Sequence, residues 1–474
     1  MISISIPLTL CLAIAAGIFL IILLAAVKIK KFQKIFDYDK LTGLYSLEKF
    51  KRESKKKILK VPENEYSIIC IDVENFQHLS DSLGRQAANS VLKAIGKHYM
   101  DNPPPDSIMC RRYADNFMLL LHTTFGPIIE DQVLSLLNIV STLGNVIPLH
   151  YTLEFSTGVY VISKPNEDME LMMHKANLAR LAGKNSIHPG RISFYDDEMT
   201  TNTEHEREIL FDMNRAFDSG EFIPYYQPKF RFSDGKIIGA EALVRWKHHK
   251  KGIIPPIQFV PLFEKNGFIT KIDTSIFEAT CKFLDRWNRS GPNGSCPQPL
   301  TISCNLSRYQ LYNPNFVREY SQIFERYDIA PSKIEIELTE SLMMDNKQRL
   351  LRAMNEIRRA GFEISIDDFG SGFSSLSLLK DIPANVIKLD KEFLSNTTGK
   401  NQEDENSIIK DNIIVTSVIE MAKKLHMSTV AEGVEEENQA ALLRKMGCDI
   451  AQGFFYAKPM CEEDFFQLLK SNIN

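Results

Sequence analysis

Short apolar runs of the kind that form β-strands alternate with segments of helical spacing along the second half of the chain, from about Phe222 to Leu469. Each run ends where a polar side chain follows. The residues at these ends are Glu241, Asn305, Glu337, the pair Asp367-Asp368, Lys388 and Glu432. A strand followed by a helix, repeated many times, predicts an α/β fold of the (β/α)8, TIM-like barrel type.

The carboxyl ends of the strands in such a barrel form one rim, where active sites lie. The polar residues at the strand ends are therefore expected around a single mouth. The alternatives for any one strand-end acid are a helix N-cap or a surface residue. Because so many predicted strands have a polar residue at the matching end, one shared site is favoured over these alternatives.

The region before the barrel has a different pattern. Tyr66–Asp72 is predicted to be a strand that ends on an acid, and Leu79–Ile95 has helical spacing. Ile108–Leu121 contains two apolar runs around the turn Tyr113-Ala-Asp-Asn116, which predicts a hairpin. Together they predict a smaller α+β domain, followed by a connecting helix that opens near Thr200–Arg207.

The N-terminal segment is apolar. Residues 4–27 are long enough to span a bilayer, and Lys28, Lys30, Lys31 and Lys34 follow directly. The positive-inside rule then places the body of the chain in the cytoplasm. A cleaved signal peptide is the alternative, but it should carry a basic region ahead of the apolar stretch. We expect one transmembrane helix and a linker at residues 28–38.

Composition agrees with an ordinary folded protein of two or more domains. The chain has 474 residues, of which 44% are hydrophobic and 24% charged, with a net charge of −4. The lysine-rich stretches Lys28–Lys40 and Lys49–Lys57 are interpreted as a membrane flank and a solvated helix face, so no nucleic-acid polymer is expected as a partner. The 8 cysteines include no Cys-x-x-Cys pair, which favours reduced thiols.

The strand-end residues are hard oxygen donors. Such donors prefer Mg²⁺ or Mn²⁺ to Zn²⁺, and His248 and His249 are predicted to lie on the surface. Adjacent Asp367 and Asp368 can reach one cluster only where the strand breaks, and Gly370 and Gly372 are expected to supply that break. The set suits two metal ions that clamp a water and a phosphoryl oxygen.

In that arrangement Lys388 would orient the water or offset phosphate charge, and Arg245 would hold a nonbridging oxygen. The loop at residues 367–375 is also rich in glycine, like a phosphate-binding loop. Its two leading acids disfavour direct phosphate contact without a metal.

The motifs of the second half resemble those of the EAL family of cyclic di-GMP phosphodiesterases, in the family's order. They are Glu241-Ala-Leu-Val-Arg-Trp246, Asn305-Leu-Ser307, Glu337-Leu-Thr-Glu340, Asp367-Asp-Phe-Gly-Ser-Gly-Phe-Ser-Ser-Leu376, Lys388-Leu-Asp390, Glu432-Gly-Val-Glu435 and Gln452-Gly-Phe454. The resemblance covers about residues 220–470. It implies a barrel with one reversed strand, two Mg²⁺ or Mn²⁺ ions, and cleavage of cyclic di-GMP to linear pGpG.

The resemblance also implies a role for each matching residue. Glu241, Asn305, Glu337 and Asp367 would hold the first metal, and Asp367 would bridge to a second one shared with Asp368 and Glu432. Lys388 would contact the attacking water, with Glu432 as a base, and Glu340 would brace the loop after Asp368. The residues implied to bind or support substrate are Gln227, Leu243, Arg245, Asp390, Glu435 and Gln452. The sequence departs from the family pattern at Ser371, where Thr is usual, and at Phe373, where Tyr is usual.

The smaller domain resembles a GGDEF, nucleotidyl-cyclase-like domain, on the segments Asp39-Lys-Leu-Thr-Gly-Leu44 and Ile71-Asp-Val-Glu-Asn-Phe76. Its signature is Tyr113-Ala-Asp-Asn-Phe117. Asp72 and Asp115 keep metal-ligand types, whereas Tyr113 and Ala114 replace the glycines that let GTP approach the backbone. Ser80 and Asn89 stand where the guanine-reading Asn and Asp are expected. We therefore expect a degenerate domain without cyclase activity, whose role is structural or regulatory.

The sequence predicts four segments: a transmembrane helix at 4–27, a linker at 28–38, a degenerate GGDEF domain at 39–197 and an EAL domain at 205–474. The expected protein is a single-pass phosphodiesterase of the bacterial inner membrane, with both domains in the cytoplasm. The family suggests a homodimer through the EAL domain, although the polar stretch Ser395–Ser407, predicted to be a mobile loop, is longer than usual there. The alternatives are a non-catalytic cyclic di-GMP receptor and a bifunctional cyclase/phosphodiesterase.

Overall fold

The computed structural model describes residues 36–122, 126–141, 153–184, 192–340, 342, 347–370, 379, 381–391 and 405–472. These residues divide into two compact units, with the boundary between His205 and Glu206. Among them, no helix is long and apolar enough to cross a membrane. The segment predicted to span the membrane, residues 4–27, lies outside the described residues.

The first unit is an α+β domain, as the sequence predicts. Its helices are α1 (Leu47–Ile58), α2 (Phe76–Asp101), α3 (Gly126–Ser141), α4 (Met169–Lys184) and the start of α5 (Asp197–Asp218). Its strands are β1 (Tyr66–Val73), β2 (Ile108–Tyr113), β3 (Asn116–His122), β4 (Phe155–Val161) and β5 (Ile192–Phe194). They form one sheet in the order β2-β3-β1-β4-β5. The predicted β2–β3 hairpin is confirmed.

The predicted helix at Leu79–Ile95 lies within α2, which is longer at both ends and has a non-helical residue at Gly84. The connecting helix α5 begins at Asp197, three residues before the predicted Thr200. Apolar clusters lie on both faces of the sheet because its side chains alternate between faces.

The second unit contains the predicted barrel. Its strands are β6 (Phe222–Arg231), β7 (Ile237–His248), β8 (Gly252–Ile254), β9 (Thr301–Asn305), β10 (Ile334–Thr339), β11 (Glu363–Phe369), β12 (Val386–Leu389), β13 (Ser428–Ala431) and β14 (Ile450–Ala451). Its helices after α5 are α6 (Pro256–Asn266), α7 (Ile269–Asn288), α8 (Arg308–Tyr312), α9 (Phe316–Phe324), α10 (Lys347–Arg359), α11 (Glu405–Lys424), α12 (Glu437–Met446) and α13 (Glu462–Asn472).

The nine-stranded sheet runs in the order β6-β14-β13-β12-β11-β10-β9-β7-β8, and β6 also pairs with β7. That pairing closes eight of the strands into a ring and leaves β8 outside it. Strand β6 is antiparallel to both of its neighbours, whereas the pairs from β7 through β9 to β14 are parallel. The expectation of a barrel with one reversed strand is confirmed.

The inner strands alternate between apolar and polar side chains. In β10, Ile334, Ile336 and Leu338 are buried in the large apolar core of this unit, while Glu335 and Glu337 lie on the opposite face. A strand of this kind packs one face against helices and presents the other to the barrel interior. The alternation therefore places carboxylates inside the barrel.

Two predicted boundaries need correction. Strand β7 does not stop at Glu241 but continues to His248, because its antiparallel pairing with β6 extends from Glu241 to Trp246 beyond the parallel pairing with β9. Of the predicted loop Ser395–Ser407, the described part, Glu405–Ser407, begins helix α11. The rest of that stretch lies outside the described residues.

Candidate active site

The barrel mouth gathers the polar residues predicted at the strand ends. Asn305 is the last residue of β9, and Glu432 directly follows β13. Glu337, Asp367 and Lys388 lie in the last two or three positions of β10, β11 and β12. Glu241 lies within β7, level with the end of that strand's parallel pairing to β9. The set is thus assembled from six different strands or strand ends.

Lys388 lies at the centre of this set. Its side chain is almost fully buried, and its Nζ lies 2.6 Å from Glu432 Oε1, 2.9 Å from Glu337 Oε2 and 2.9 Å from Asp367 Oδ1. Glu241 Oε2 is slightly farther away, at 3.3 Å. One ammonium group therefore faces four carboxylates.

Asp367 and Asp368 point into the same cluster although they are consecutive in the chain. The pairing of β11 with β12 shifts register between Ile366 and Phe369, and Asp368 has a left-handed backbone with φ +53°. Gly370 follows with φ +101°. The strand therefore becomes irregular two residues before the first of the predicted glycines, at Asp368 itself. Gly372 lies outside the described residues.

Glu340 holds the backbone after this break. The Gly370 N–H donates a hydrogen bond to Glu340 Oε2 at 2.7 Å, and Glu340 is buried. This contact lies where the resemblance implies a bracing role for Glu340. It fixes the position at which Asp368 leaves the strand.

The carboxylates carry more negative charge than the lysine can balance. Burial, with the charges of Asp367 and Asp390, raises the pKa of Asp368 to about 7. Burial, together with the charges of Asp367, Glu241 and Glu337, raises the pKa of Glu432 to about 8 against the opposing effect of Lys388. Burial alone would lower the pKa of Lys388, but Glu241 and Glu337 hold it well above its ordinary value.

This donor set fits divalent cations. One carboxylate oxygen from each of Asp367, Asp368 and Glu432 lies within 4.8 Å of the others. All donors are hard oxygens, the type that Mg²⁺ and Mn²⁺ prefer, and the excess negative charge requires a counter-ion. Glu241 and Glu337 contact Lys388, and Asn305 donates a hydrogen bond to Glu241, so these three residues adjoin the same cluster.

Amide side chains fix Glu241. Asn305 Nδ2 donates to Glu241 Oε1 at 2.8 Å, and Gln452 Nε2 donates to Glu241 Oε2 at 2.7 Å. The Gln452 amide also lies 3.2 Å from Gln227 Oε1, and Gln227 donates to the Ala457 carbonyl. The carboxylate of Glu241 is therefore held at both oxygens.

The other predicted substrate residues have fewer contacts with this centre. Arg245 is half-buried, lies over the Tyr225 ring and donates to the Val244 carbonyl. Asp390 contacts Asp368. Glu435 is exposed, and its backbone N–H donates to Gln439 in the capping box that begins α12. None of these three has a described contact with Lys388.

A pocket of about 240 Å³ opens beside Asn305. Its lining is mainly apolar and includes Leu243, together with the carboxylates of Glu264 and Asp273. Burial raises the pKa of Asp273 to about 7, and its Oδ2 accepts the Ser307 N–H at 3.0 Å. Sequence reasoning missed Asp273, which comes from helix α7. The signal that was available is its helical spacing, because Asp273 lies four residues after Ile269 and three before Ile276, both buried.

A second buried lysine was also missed. Lys229 Nζ, from β6, lies 2.9 Å from Glu335 Oε1, 2.9 Å from Ser303 Oγ and 3.2 Å from Glu337 Oε1. Burial alone would lower the pKa of Lys229, but Glu335 and Glu337 raise it above its ordinary value. Glu337 therefore contacts two lysines.

The prediction that His248 lies on the surface is wrong. His248 is buried and its Nε2 lies 2.9 Å from Asp212, while His249 is exposed and lies near Glu221. The three residues Glu221, His248 and His249 are close enough to hold a metal. However, His248 Nδ1 accepts backbone N–H groups from Lys250 and Lys251, so the ring proton lies on Nε2, which donates it to Asp212; neither ring nitrogen is then left to bind a metal. This group does not fit a metal.

In the first unit, the acid predicted as a cyclase metal ligand is already paired. Asp72 Oδ2 lies 3.0 Å from Arg180 Nη1, and Asp72 Oδ1 accepts Asn116 Nδ2 at 3.2 Å. Burial raises the pKa of Asp115. Ala114, where a glycine is expected, has a left-handed backbone with φ +45°.

The comparisons with known proteins agree with this geometry. Residues 212–459 match the EAL domain model, and residues 36–187 match the model for the diguanylate cyclase, GGDEF domain. Because the first match covers more than half of the chain, this protein belongs to the EAL domain family. It carries a GGDEF domain ahead of its EAL domain.

Two curated relatives come from Pseudomonas aeruginosa. The bifunctional diguanylate cyclase/cyclic di-GMP phosphodiesterase MucR is 28% identical over 86% of this chain and 57% of its own length. The cyclic di-GMP phosphodiesterase NbdA is 26% identical over 89% of this chain and 52% of its own length. The chain thus spans a little over half the length of these relatives.

A solved structure of the EAL enzyme Bd1971, in its cAMP and cyclic di-GMP bound form, is similar with a TM-score of 0.51. It is 24% identical and covers 76% of this chain and 82% of that one. This likeness supports the fold.

Proposed function

We propose that this protein is a cyclic di-GMP phosphodiesterase that uses two Mg²⁺ or Mn²⁺ ions and releases linear pGpG. The observation that carries the proposal is the group of four carboxylates around Lys388 at the mouth of an EAL-family barrel. In the reaction, water adds to one phosphorus and the bond from that phosphorus to the 3′ oxygen breaks. The water proton passes through a base to the leaving oxygen.

The side chains divide this work. Glu241, Asn305, Glu337 and Asp367 would hold one ion, and Asp367, Asp368 and Glu432 the other. When bound, the ions supply positive charge to the phosphoryl oxygens and activate the attacking water. Lys388 would position that water, and Glu432 would accept its proton.

Substrate recognition would use the groups around this centre. Arg245 would contact phosphate, together with Gln227, Gln452, Asp390 and Glu435 from the implied substrate set. The pocket lined by Leu243 and Asp273 suits a guanine base, whose N–H groups need carboxylate acceptors inside an otherwise apolar space.

The test is hydrolysis of cyclic di-GMP by the full chain with Mg²⁺ or Mn²⁺, followed by chromatography of the product. We expect pGpG, and we expect Glu241→Ala and Asp367→Ala to lower the rate by about 10³-fold or more. Tight binding of cyclic di-GMP without pGpG would instead support the receptor alternative. Near-normal rates in both variants would overturn the metal assignment.

We propose that the GGDEF domain makes no cyclic di-GMP and is structural or regulatory. The pairing of Asp72 with Arg180 and the side chains at Tyr113 and Ala114 support this. Incubation of Glu241→Ala with GTP tests it, because that variant should not destroy any product. Formation of cyclic di-GMP there would establish the bifunctional alternative.

We further propose anchoring to the bacterial inner membrane by residues 4–27, with both domains in the cytoplasm. The uncharged apolar stretch followed by lysines supports this orientation. A homodimer through the EAL domain is supported by the exposed isoleucines Ile409, Ile413 and Ile414 of α11. Fractionation with and without residues 1–27, and the mass of the detergent-solubilised protein, test the two proposals.

A further inference from the structure

Lys229 occupies the interior of the barrel on the reversed strand β6. It is 5% exposed, and all three of its ammonium donors have acceptors: Ser303 Oγ, Glu335 Oε1 and Glu337 Oε1. No described contact links Lys229 to Asp367, Asp368 or Glu432. Among the residues assigned to the site, Glu337 is the one with which Lys229 has a described hydrogen bond.

Glu337 is held between two lysines. Lys229 bonds to its Oε1 at 3.2 Å, and Lys388 lies 2.9 Å from its Oε2. The carboxylate of Glu337 is fully buried, so no solvent competes for either oxygen. With Oε1 bonded to Lys229, the oxygen that faces Lys388 and the mouth is Oε2.

We propose that Lys229 is a positioning residue for the metal site. It holds Glu337 by one oxygen so that the other oxygen faces the ion, and it thereby makes Glu337 a ligand through a single oxygen. The proposal rests on the proposed function to the extent that Glu337 is a metal ligand there. Partners that orient a ligand in this way commonly change metal affinity by about 10- to 100-fold when removed.

A merely charge-balancing role makes the opposite prediction. If Lys229 only offset the charge of Glu335 and Glu337, removal of its positive charge would strengthen the binding of a cation. If Lys229 positions Glu337, its removal weakens cation binding, because Glu337 can then turn both oxygens toward Lys388. The sign of the change in affinity between E335Q and K229M/E335Q separates the two roles, because these two variants differ only at Lys229.

The experiment measures Mn²⁺ binding to the full chain by electron paramagnetic resonance, without substrate. The variant K229M/E335Q removes Lys229 together with its own partner, so that no buried charge is left unpaired. Its matched control is E335Q, which keeps Lys229 in contact with Glu337. We expect the Mn²⁺ Kd of the double variant to rise about tenfold, and that of E335Q to change by less than about threefold.

Activity supplies a second readout. The double variant should regain most of its kcat at high Mn²⁺, with the KM for cyclic di-GMP unchanged. If the double variant fails to fold by circular dichroism, K229R takes its place. K229R keeps donors toward Glu337, so its Mn²⁺ Kd should stay within about threefold of wild type.

An unchanged or lower Kd in K229M/E335Q would overturn the inference, as would a tenfold loss of affinity in K229R. The proposed function fails separately, if the wild type binds Mn²⁺ but releases no pGpG. A wild type that forms pGpG while the double variant binds Mn²⁺ normally would remove the role of Lys229 alone.

Discussion

Lys388 Nζ and Glu432 Oε1 lie 2.6 Å apart at the barrel mouth, and this is the shortest of the contacts between Lys388 and its four carboxylates. The pKa of Lys388 lies well above its ordinary value, so this side chain keeps its charge. The pKa of Glu432 is raised to about 8. In such a pair the ammonium group can donate a hydrogen bond to a water, and the carboxylate can accept that water's proton. The pair therefore combines a donor that stays charged with an acid that also belongs to the candidate metal cluster.

The first prediction concerns Lys388→Met. We expect it to lower kcat by about 10³-fold while Mn²⁺ binding is retained or strengthened, because a positive charge is removed from among the metal ligands. Parallel measurements of pGpG formation and of Mn²⁺ titration check this. The control is Lys445→Met, which changes an exposed residue of α12 and should behave as wild type. Loss of Mn²⁺ binding in Lys388→Met would show a structural role instead.

The pH dependence of metal binding is the second prediction. Without a cation, Asp368 and Glu432 have pKa values of about 7 and 8, so both take up protons as the pH falls from 9 to 6. Cation binding needs both groups ionised and releases those protons. The apparent Mn²⁺ affinity should therefore fall by about tenfold per pH unit for each proton released.

The same shifts fix the sign of the stability change. The pKa values of these acids are raised in the folded, cation-free protein, so that protein should be more stable at low pH and lose stability as the pH rises through about 7 to 8. Mn²⁺ should raise Tm more at pH 8.5 than at pH 6. Thermal melts with and without Mn²⁺ test this, and Glu432→Gln should flatten the pH dependence. An equal Tm shift at both pH values would contradict it.

The parts of the site that can be predicted from the sequence are those that follow from the regular alternation or the ends of single strands. In β10 the alternation of Ile336 and Leu338 with Glu335 and Glu337 already places the acids on one face. Asn305 ends a short strand and Glu432 follows one, so their placement at the rim follows from the order of the elements.

Other parts depend on contacts between distant segments. Lys229 reaches Glu337 only because β6 is reversed and closes the barrel against β7 and β14. His248 is buried because a connecting helix supplies Asp212. The break at Asp368 comes from a register shift between two strands, and Gly370, two residues later, indicated the neighbourhood of the break but not its residue.

Asp273 gives the third prediction. Asp273→Asn should raise the KM for cyclic di-GMP about tenfold with little effect on kcat, because it removes one buried acceptor for a base N–H in the pocket beside Leu243. Steady-state kinetics at saturating Mn²⁺ measure both constants. Asp285→Asn lies on the same helix but does not line the pocket, and it should have no effect. A fall in kcat with unchanged KM would place Asp273 outside the base pocket.

Ala114 gives the last prediction. Its left-handed backbone costs about 1–2 kcal/mol for a residue with a Cβ, whereas glycine pays about 0.5–1 kcal/mol of extra unfolded-chain entropy. Ala114→Gly should therefore stabilise the β2–β3 hairpin by roughly 0.5–1 kcal/mol. Slower amide hydrogen exchange in Ile108–Tyr113 and Asn116–His122 is the measurement.

The control for Ala114→Gly is Ala87→Gly, in the interior of helix α2, which should destabilise the first unit by about 1 kcal/mol. Faster exchange in both variants would show that the turn imposes no strain on Ala114. Because Asp72 stays bound to Arg180, restoring this one glycine should produce no cyclic di-GMP from GTP. The expected absence of cyclase activity would then rest on this charge pairing as well as on the turn.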